Sequence, residues 1–91
     1  MTAKFDPGQM VATPGALKAI EASGQTPDFF LERHLQGDWG DVEPGDWKLN
    51  DQALVDGSRL LSAYTTLKGV RLWVITEADR SSTCVLRPEE Y

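Results

Sequence analysis

The single histidine, His34, precedes two acids in the run His34-Leu-Gln-Gly-Asp38-Trp-Gly-Asp41. An imidazole beside a carboxylate can act as a general base, and the same residue types can bind a metal. We expect His34 at a helix C-terminus, where the helix dipole and the acids would favour its protonated form. The alternative is that His34 packs in the core and bonds Asp38 or a carbonyl. One histidine with two loop acids is weak for a metal, so we predict neither metal nor cofactor.

A second candidate is the run Glu77-Ala78-Asp79-Arg80 between two predicted strands. An arginine at a strand turn can hold a phosphate or a carboxylate, and Glu77 could serve as a general base. Alternatively, Asp79 forms an Asx-type turn and Arg80 pairs with Glu77 or Asp79. The catalytic candidates are therefore His34, Glu77 and Arg80.

A third candidate is the acidic segment, residues 37–56. It holds six carboxylates against one lysine, so it carries a charge of −5, the net charge of the whole chain. Tryptophans among acids are typical of a surface that binds a basic protein, although they could also pin a loop onto the core. The predicted binding residues are Asp38, Trp39, Asp41, Glu43, Asp46, Trp47 and Asn50.

Composition excludes several classes of function. An acidic chain is repelled by nucleic acid, so we do not expect direct DNA binding. The one cysteine, Cys84, lies in a predicted strand and allows no internal disulfide. No nucleophile elbow, phosphate-binding glycine loop or dinucleotide motif occurs. No apolar run is long enough to span a membrane, and we expect a cytoplasmic protein.

Three helices are predicted ahead of the strands. Two share one pattern, a threonine N-cap, proline at the first helical position and a later glycine C-cap. These run from Thr13-Pro14 to Gly24 and from Thr26-Pro27 to Gly37. The third is expected to run from near Pro44 to Asp56, with Gly57 closing it.

The remaining elements are predicted strands. Arg59–Thr66, Val70–Glu77 and Thr83–Leu86 are rich in β-branched and aromatic residues, which predicts a three-stranded antiparallel meander. Gln9–Ala12 could add a short edge strand. Both faces of the central strand are apolar, so either both are covered or the Trp73 face meets a partner. We expect one α+β domain over residues 1–91, with the three helices packed on the meander.

Several strings resemble one family across nearly the whole chain. They begin with Phe5-Asp6-Pro7-Gly8 and continue through His34, Gly37-Asp38-Trp39-Gly40, Asn50, Ala53-Leu54, Gly57, Arg59-Leu60-Leu61-Ser62-Ala63-Tyr64, Leu72-Trp73-Val74-Ile75-Thr76-Glu77-Ala78-Asp79-Arg80-Ser81 and Pro88-Glu89-Glu90-Tyr91. The chain resembles uncharacterised "plasmid-related" small proteins of bacterial integrative elements and plasmids. Some of those carry the label of a type I restriction modification subunit. The resemblance implies a setting in mobile DNA.

The methyltransferase activity in that label does not fit this sequence. A DNA methyltransferase needs a nucleotide-binding α/β domain and an Asn/Asp-Pro-Pro-aromatic loop, and no Pro-Pro pair occurs in these 91 residues.

Three hypotheses of function remain. The first is a non-enzymatic accessory protein that binds a basic, nucleic-acid-handling protein, such as a restriction or CRISPR-type nuclease of host defence. The second is a small toxin-like RNase with His34 or Glu77 as general base. The third is a structural or regulatory subunit that forms a homodimer through a sheet edge or the Trp73 face.

Overall fold

A computed structural model describes residues 3–91 of the chain. It is a mixed α+β fold with three helices and a four-stranded sheet, which confirms the predicted fold class in that general form. The elements in chain order are β1 (Gln9–Ala12), α1 (Pro14–Ala22), α2 (Pro27–Leu35), α3 (Pro44–Asp56), β2 (Leu60–Thr65), β3 (Arg71–Thr76), β4 (Ser82–Leu86) and a short 3-10 helix (Pro88–Glu90).

The helix ends follow the predicted proline and glycine pattern, with one exception. The Thr13 hydroxyl accepts a hydrogen bond from the Ala16 amide at 3.1 Å, as an N-cap should. Thr26 holds the equivalent backbone position of α2, but its side chain makes no capping bond. Gly57 ends α3 at a φ of 79°, a conformation that costs a side chain about 1–2 kcal/mol.

The sheet differs from the predicted three-stranded meander. Strands β2, β3 and β4 are antiparallel neighbours, as expected, but β1 joins beside β4 in the parallel direction, giving the order β1-β4-β3-β2. The sheet is therefore mixed. Gln9–Ala12 is confirmed as an edge strand; its partner and direction were not predicted, because the pairing of Gln9 with Ser82 spans most of the chain.

Helices α1 and α2 cover one face of the sheet. The shared core consists of Ala16, Ile20, Phe30, Leu31, Tyr64, Leu72, Val74 and Val85. On the opposite face Trp73 is half-buried, and its ring contacts that of Tyr91 with centroids 5.8 Å apart. The chain's own C-terminal residues thus cover part of the Trp73 face.

Helix α3 packs beside β2 and closes the outer edge of that strand. The Asn50 side chain donates to the Leu61 carbonyl at 2.7 Å and accepts from the Leu61 amide at 3.1 Å. Next along the strand, Ala63 forms a parallel bridge with Gly40. Within it, the Ala63 amide donates to the Trp39 carbonyl at 3.0 Å. The Asn50 side chain therefore makes the two hydrogen bonds that a neighbouring strand would otherwise make with Leu61. It satisfies backbone groups that would otherwise lack partners.

Candidate functional site

His34 lies in the core, not in an accessible site. Its side chain is fully buried, and its ring nitrogens contact the hydroxyls of Ser62 and Thr76. The predicted bond to Asp38 or a carbonyl is wrong. Ser62 lies on β2 and Thr76 on β3, 28 and 42 residues further along the chain, so no local sequence pattern predicts these contacts.

The hydroxyls around His34 fix the position of its proton. The Thr83 hydroxyl donates to the Pro7 carbonyl at 2.7 Å, so in its contact with Thr76, also 2.7 Å, it must accept. The Thr76 proton is then used, and Thr76 accepts from Nε2–H of His34 at 2.8 Å. Nδ1 is left as the acceptor for the Ser62 hydroxyl at 2.5 Å. The chain of bonds thus selects the neutral Nε2–H tautomer.

The surroundings of His34 also oppose protonation. Burial, and secondarily the positive charge of Arg80, lower the pKa of His34 from 6.5 to about 3. The expectation that a helix dipole and nearby acids would hold this ring protonated is therefore wrong. Loss of hydration is the dominant cause, and Asp38, one of the acids expected to favour protonation, is paired with another side chain.

Asp38 is paired with Arg33 of α2. Their side chains form a two-point contact at 2.8 and 3.3 Å, and this hydrogen-bonded partner lowers the pKa of Asp38 below its usual value. The Arg33 guanidinium also lies 4.5 Å over the Tyr64 ring, and the Tyr64 hydroxyl donates to the Asp38 carbonyl at 2.6 Å. The three side chains hold the turn after α2 against the sheet.

Trp39 is part of the core and does not contribute to a binding surface. It is fully buried with Ala53 and Leu60, while Trp47 is only partly buried against the same cluster. The Trp39 indole donates to the Asp51 carboxylate at 3.0 Å. Trp39 therefore pins its loop onto the core, which was the alternative to an interface role.

The side chains of Glu77 and Arg80, in the second hairpin, make no hydrogen bond to His34 or to its hydroxyl partners among the described residues. Glu77 is exposed, and the Asp79 carboxylate accepts from the Ser81 amide at 3.0 Å in the predicted Asx turn. Arg80 does not pair with either acid side chain. Its guanidinium donates to the carbonyls of Ser58 at 2.6 Å and Ala53 at 3.0 Å, which ties the hairpin to the C-terminal end of α3.

The predicted catalytic residues therefore do not meet in one cleft. A cleft of about 490 Å³ beside α2 is lined by Asp38, Arg33 and Phe29, but not by His34, Asn50 or Glu77. Within residues 3–91, no group of three or more His, Cys, Asp or Glu side chains could hold a metal ion.

The outward side of α3 is the most unusual surface of the acidic segment. Leu49 is 64% exposed and Val55 is 89% exposed, although both are aliphatic residues in a regular helix. At about 100° per residue, Val55 lies about 40° from Asp51 and Leu49 about 20° from Asp56 around the helix, with Gln52 between the two aliphatic residues. Neither aliphatic residue was among the predicted binding residues.

A shallow groove of about 360 Å³ adjoins this surface. It is lined by Leu49, Gln52, Ala53, Asp56, Ser58 and Arg59. An aliphatic wall beside a carboxylate suits the long stem and charged head of a lysine or arginine side chain from another molecule. We call the surface formed by Leu49, Asp51, Gln52, Val55 and Asp56 the α3 outer face.

The acids of this segment differ in how they are partnered. Asp41 accepts from the Thr65 hydroxyl at 3.0 Å and lies 4.0 Å from Arg71. By contrast, no salt bridge among the described residues reaches the four other exposed acids, which are Glu43, Asp46, Asp51 and Asp56. Their charge is therefore largely uncompensated within the chain.

Comparisons with protein-family models, with curated proteins and with solved structures find no match to this chain. Over the part of the chain that the structure describes, no helix has both the length and the apolar character needed to cross a bilayer.

Proposed function

We propose that this chain acts by binding another protein, and that the α3 outer face is its docking surface. The observation that carries the proposal is the exposure of Leu49 and Val55 on the side of α3 that also carries the exposed carboxylates Asp51 and Asp56. Exposed aliphatic side chains with a charged rim are typical of protein interfaces. The surface belongs to a helix whose inner side is fixed by Asn50, so it is presented in one orientation.

The charge around this face selects a basic partner. Lys48 is the only cation in the acidic segment. The arginines contact Asp38 (Arg33), Tyr91 (Arg59), Asp41 (Arg71), Ser58 and Ala53 (Arg80) and Glu89 (Arg87), and of these only Arg59 also lines the groove beside Leu49. The carboxylates Asp51 and Asp56, which accept only from the neutral groups of Trp39 and Ser58, can therefore attract a positively charged surface and steer it onto Leu49 and Val55.

The resemblance to small proteins of plasmids and integrative elements suggests which basic proteins to consider. Nucleases of host defence, including restriction and CRISPR-type enzymes, handle nucleic acid and carry positive grooves. We propose that this chain inhibits such an enzyme in the cytoplasm of a bacterium. The carboxylates wind around α3 and form no straight row, so the proposed contact is a docked helix and does not copy a phosphate backbone.

The test is site-specific photocrosslinking in a bacterium carrying restriction and CRISPR systems. A photoreactive phenylalanine analogue replaces Leu49 or Val55, and also Leu67, which is comparably exposed in the β2–β3 hairpin. We expect a basic nucleic-acid-handling protein to crosslink at positions 49 and 55 but not at position 67. Equal crosslinking at all three positions, or none at 49 and 55, would contradict the proposal.

The charge contribution is tested with the crosslinked partner once it has been purified. Asp51→Asn and Asp56→Asn together should weaken binding about tenfold or more and reduce its salt dependence. Asparagine at position 51 can still accept from Trp39, so this variant removes charge without removing a core contact. Glu21→Gln and Glu77→Gln, at exposed acids outside the segment, are the matched control and should leave binding unchanged.

No geometry of the described residues favours the nuclease hypothesis. His34 is inaccessible to a substrate, and Arg80 is engaged by backbone carbonyls, so neither is available for the role that the sequence suggested.

A further inference from the structure

Among residues 3–91, no segment pairs with the outer side of β1, which is an open edge of the sheet. The Gln9 amide donates to the Ser81 carbonyl at 3.1 Å and the Thr13 amide to the Val85 carbonyl at 2.9 Å, so Gln9, Val11 and Thr13 face β4. Backbone groups alternate in direction along a strand. The amides and carbonyls of Met10 and Ala12 therefore face outward, where a further strand would lie.

The open stretch has defined ends. The Gly8 amide is held by the Asp6 carboxylate at 2.9 Å, and Pro14 has no amide proton. Only Met10 and Ala12 can therefore offer both an outward donor and an outward acceptor. A strand that pairs here has one register available.

Charge is confined to the two ends of this stretch, where the Gly8 amide donates to the Asp6 carboxylate and the Thr13 hydroxyl donates to the Glu90 carboxylate at 2.7 Å. Residues 7–17 contain no charged side chain, and β1 is exposed, with Met10 at 50% and Val11 at 42%. Natural proteins usually protect open edges with lysine, proline or a bulge, and β1 has none of these within its four residues. The opposite edge, on β2, is closed by Asn50 and Gly40.

Charge placement makes a second copy of this chain the fitting partner. The acidic α3 packs beside β2, which is the far edge of the sheet from β1. Two copies can therefore approach through their β1 edges while their acidic segments stay apart.

We propose that two copies pair through antiparallel β1 strands about a twofold axis. In the available register, Met10 lies opposite Ala12 of the second copy and exchanges two hydrogen bonds with it, so the symmetric pair forms four. Val11 lies opposite Val11 of the second copy, on the axis, in a non-hydrogen-bonded position. This interface is independent of the α3 outer face. Four backbone bonds and two valines make a small contact, so the dimer is weak and depends on concentration.

The pairing joins two four-stranded sheets into one of eight strands. At about 4.8 Å per strand, the two β2 strands lie about 34 Å apart, with an α3 outer face at each end. A dimer of this shape offers two docking surfaces that face away from each other, so it can engage two partner molecules or a repeated basic surface.

Sedimentation velocity of the whole chain over a wide concentration range is the first test. We expect the mean mass to rise towards that of a dimer, and Val11→Lys to abolish the rise because two lysines would meet on the axis. Val55→Lys introduces the same charge on α3 and should still dimerise. A wild-type chain that stays monomeric throughout, or equal association of Val11→Lys, would overturn the proposal.

A covalent trap tests the register even if a variant is less stable. Opposed residues in a non-hydrogen-bonded antiparallel pair lie about 4.5 Å apart, close enough for a disulfide. In a Cys84→Ser background, Val11→Cys should give an oxidised dimer on a non-reducing gel. Met10→Cys faces Ala12 of the second copy and should not. Equal dimer yield at positions 10 and 11 would contradict the predicted register.

Discussion

At the β2 edge of the sheet, Asn50 and Gly40 occupy the outward backbone groups of Leu61 and Ala63, whereas at the β1 edge Met10 and Ala12 face outward with no such partner among the described residues. The closed edge adjoins the acidic helix, whereas residues 7–17, which include the open edge, contain no charged side chain. Specific hydrogen bonds therefore fix α3 on the β2 side of the sheet. The same sheet leaves its other side available for assembly.

The largest loss of stability is expected from a substitution at Gly40, where the closed edge leaves no room for a side chain. A Cβ there would overlap the Ala63 carbonyl oxygen, and the φ of 75° already disfavours a side chain. Combining overlap and backbone strain, Gly40→Ala should lower the free energy of unfolding by about 4 kcal/mol in urea titrations. Gly57→Ala is the control: its φ is 79°, but no atom lies within 4 Å, so the loss should be about 1 kcal/mol.

Asn50 should have the next largest effect. Asn50→Ala leaves the Leu61 amide and carbonyl without their partner, which should cost about 3 kcal/mol of unfolding free energy. The control is Gln52→Ala, at an exposed residue two positions further along α3, which should change the free energy of unfolding by less than about 0.5 kcal/mol. If the two variants unfold at the same urea concentration, Asn50 does not close the edge as described.

His34 gives the closed side a pH dependence. Its pKa is about 3 when folded and near 6.5 when unfolded, so the unfolded chain binds more protons between these values. Stability is therefore full above about pH 6.5 and is lost as the pH falls towards 3, by at most about 1.4 kcal/mol per pH unit. Asp38 also has a lowered pKa, but the loss it contributes begins at lower pH.

The contribution of His34 can be separated by measuring urea unfolding from about pH 7 to about pH 5. The wild type should lose stability across this range. His34→Gln should be less stable at neutral pH but much less sensitive to acid. An unchanged pH slope in the variant would show that another group titrates there.

The open edge should show the smallest effect on stability. Met10→Lys adds charge at an exposed side chain and should change the free energy of unfolding by less than about 0.5 kcal/mol. A loss as large as that of Asn50→Ala would mean that β1 is also a closed edge in the folded monomer. Chemical denaturation at low protein concentration makes this measurement without interference from association.

Local signals in the sequence were sufficient for the helices and strands. Pro14, Pro27 and Pro44 each begin a helix, because proline fits the first turn. The hairpin between β2 and β3 follows from Gly69, which adopts a φ of 86°. Such signals depend on neighbouring residues, and they are legible without knowledge of the tertiary fold.

The functional residues were harder to predict because their partners are remote. His34 is spaced from two acids as a general base could be, but it is buried and its ring bonds to hydroxyls on two later strands. Trp39 has the sequence context of an interface aromatic, but it is buried and its indole donates a hydrogen bond to Asp51, which lies 12 residues further along the chain. Conversely, Val55 looks like core and lies outside. Exposure is decided by how α3 is rotated on β2, and Asn50 fixes that rotation through a bond to a strand that comes later in the chain.

The pairing of β1 with β4 also has a kinetic consequence. Asn50 and Leu61 are 11 residues apart, so their contact closes a short loop, whereas Gln9 and Ser82 lie at opposite ends of the chain. Closing the longer loop costs more entropy. The β2 side should therefore fold first and β1 should dock last. The Gln9 and Thr13 amides should then exchange with deuterium sooner than that of Leu61, which makes the assembly edge the first part of the sheet to open.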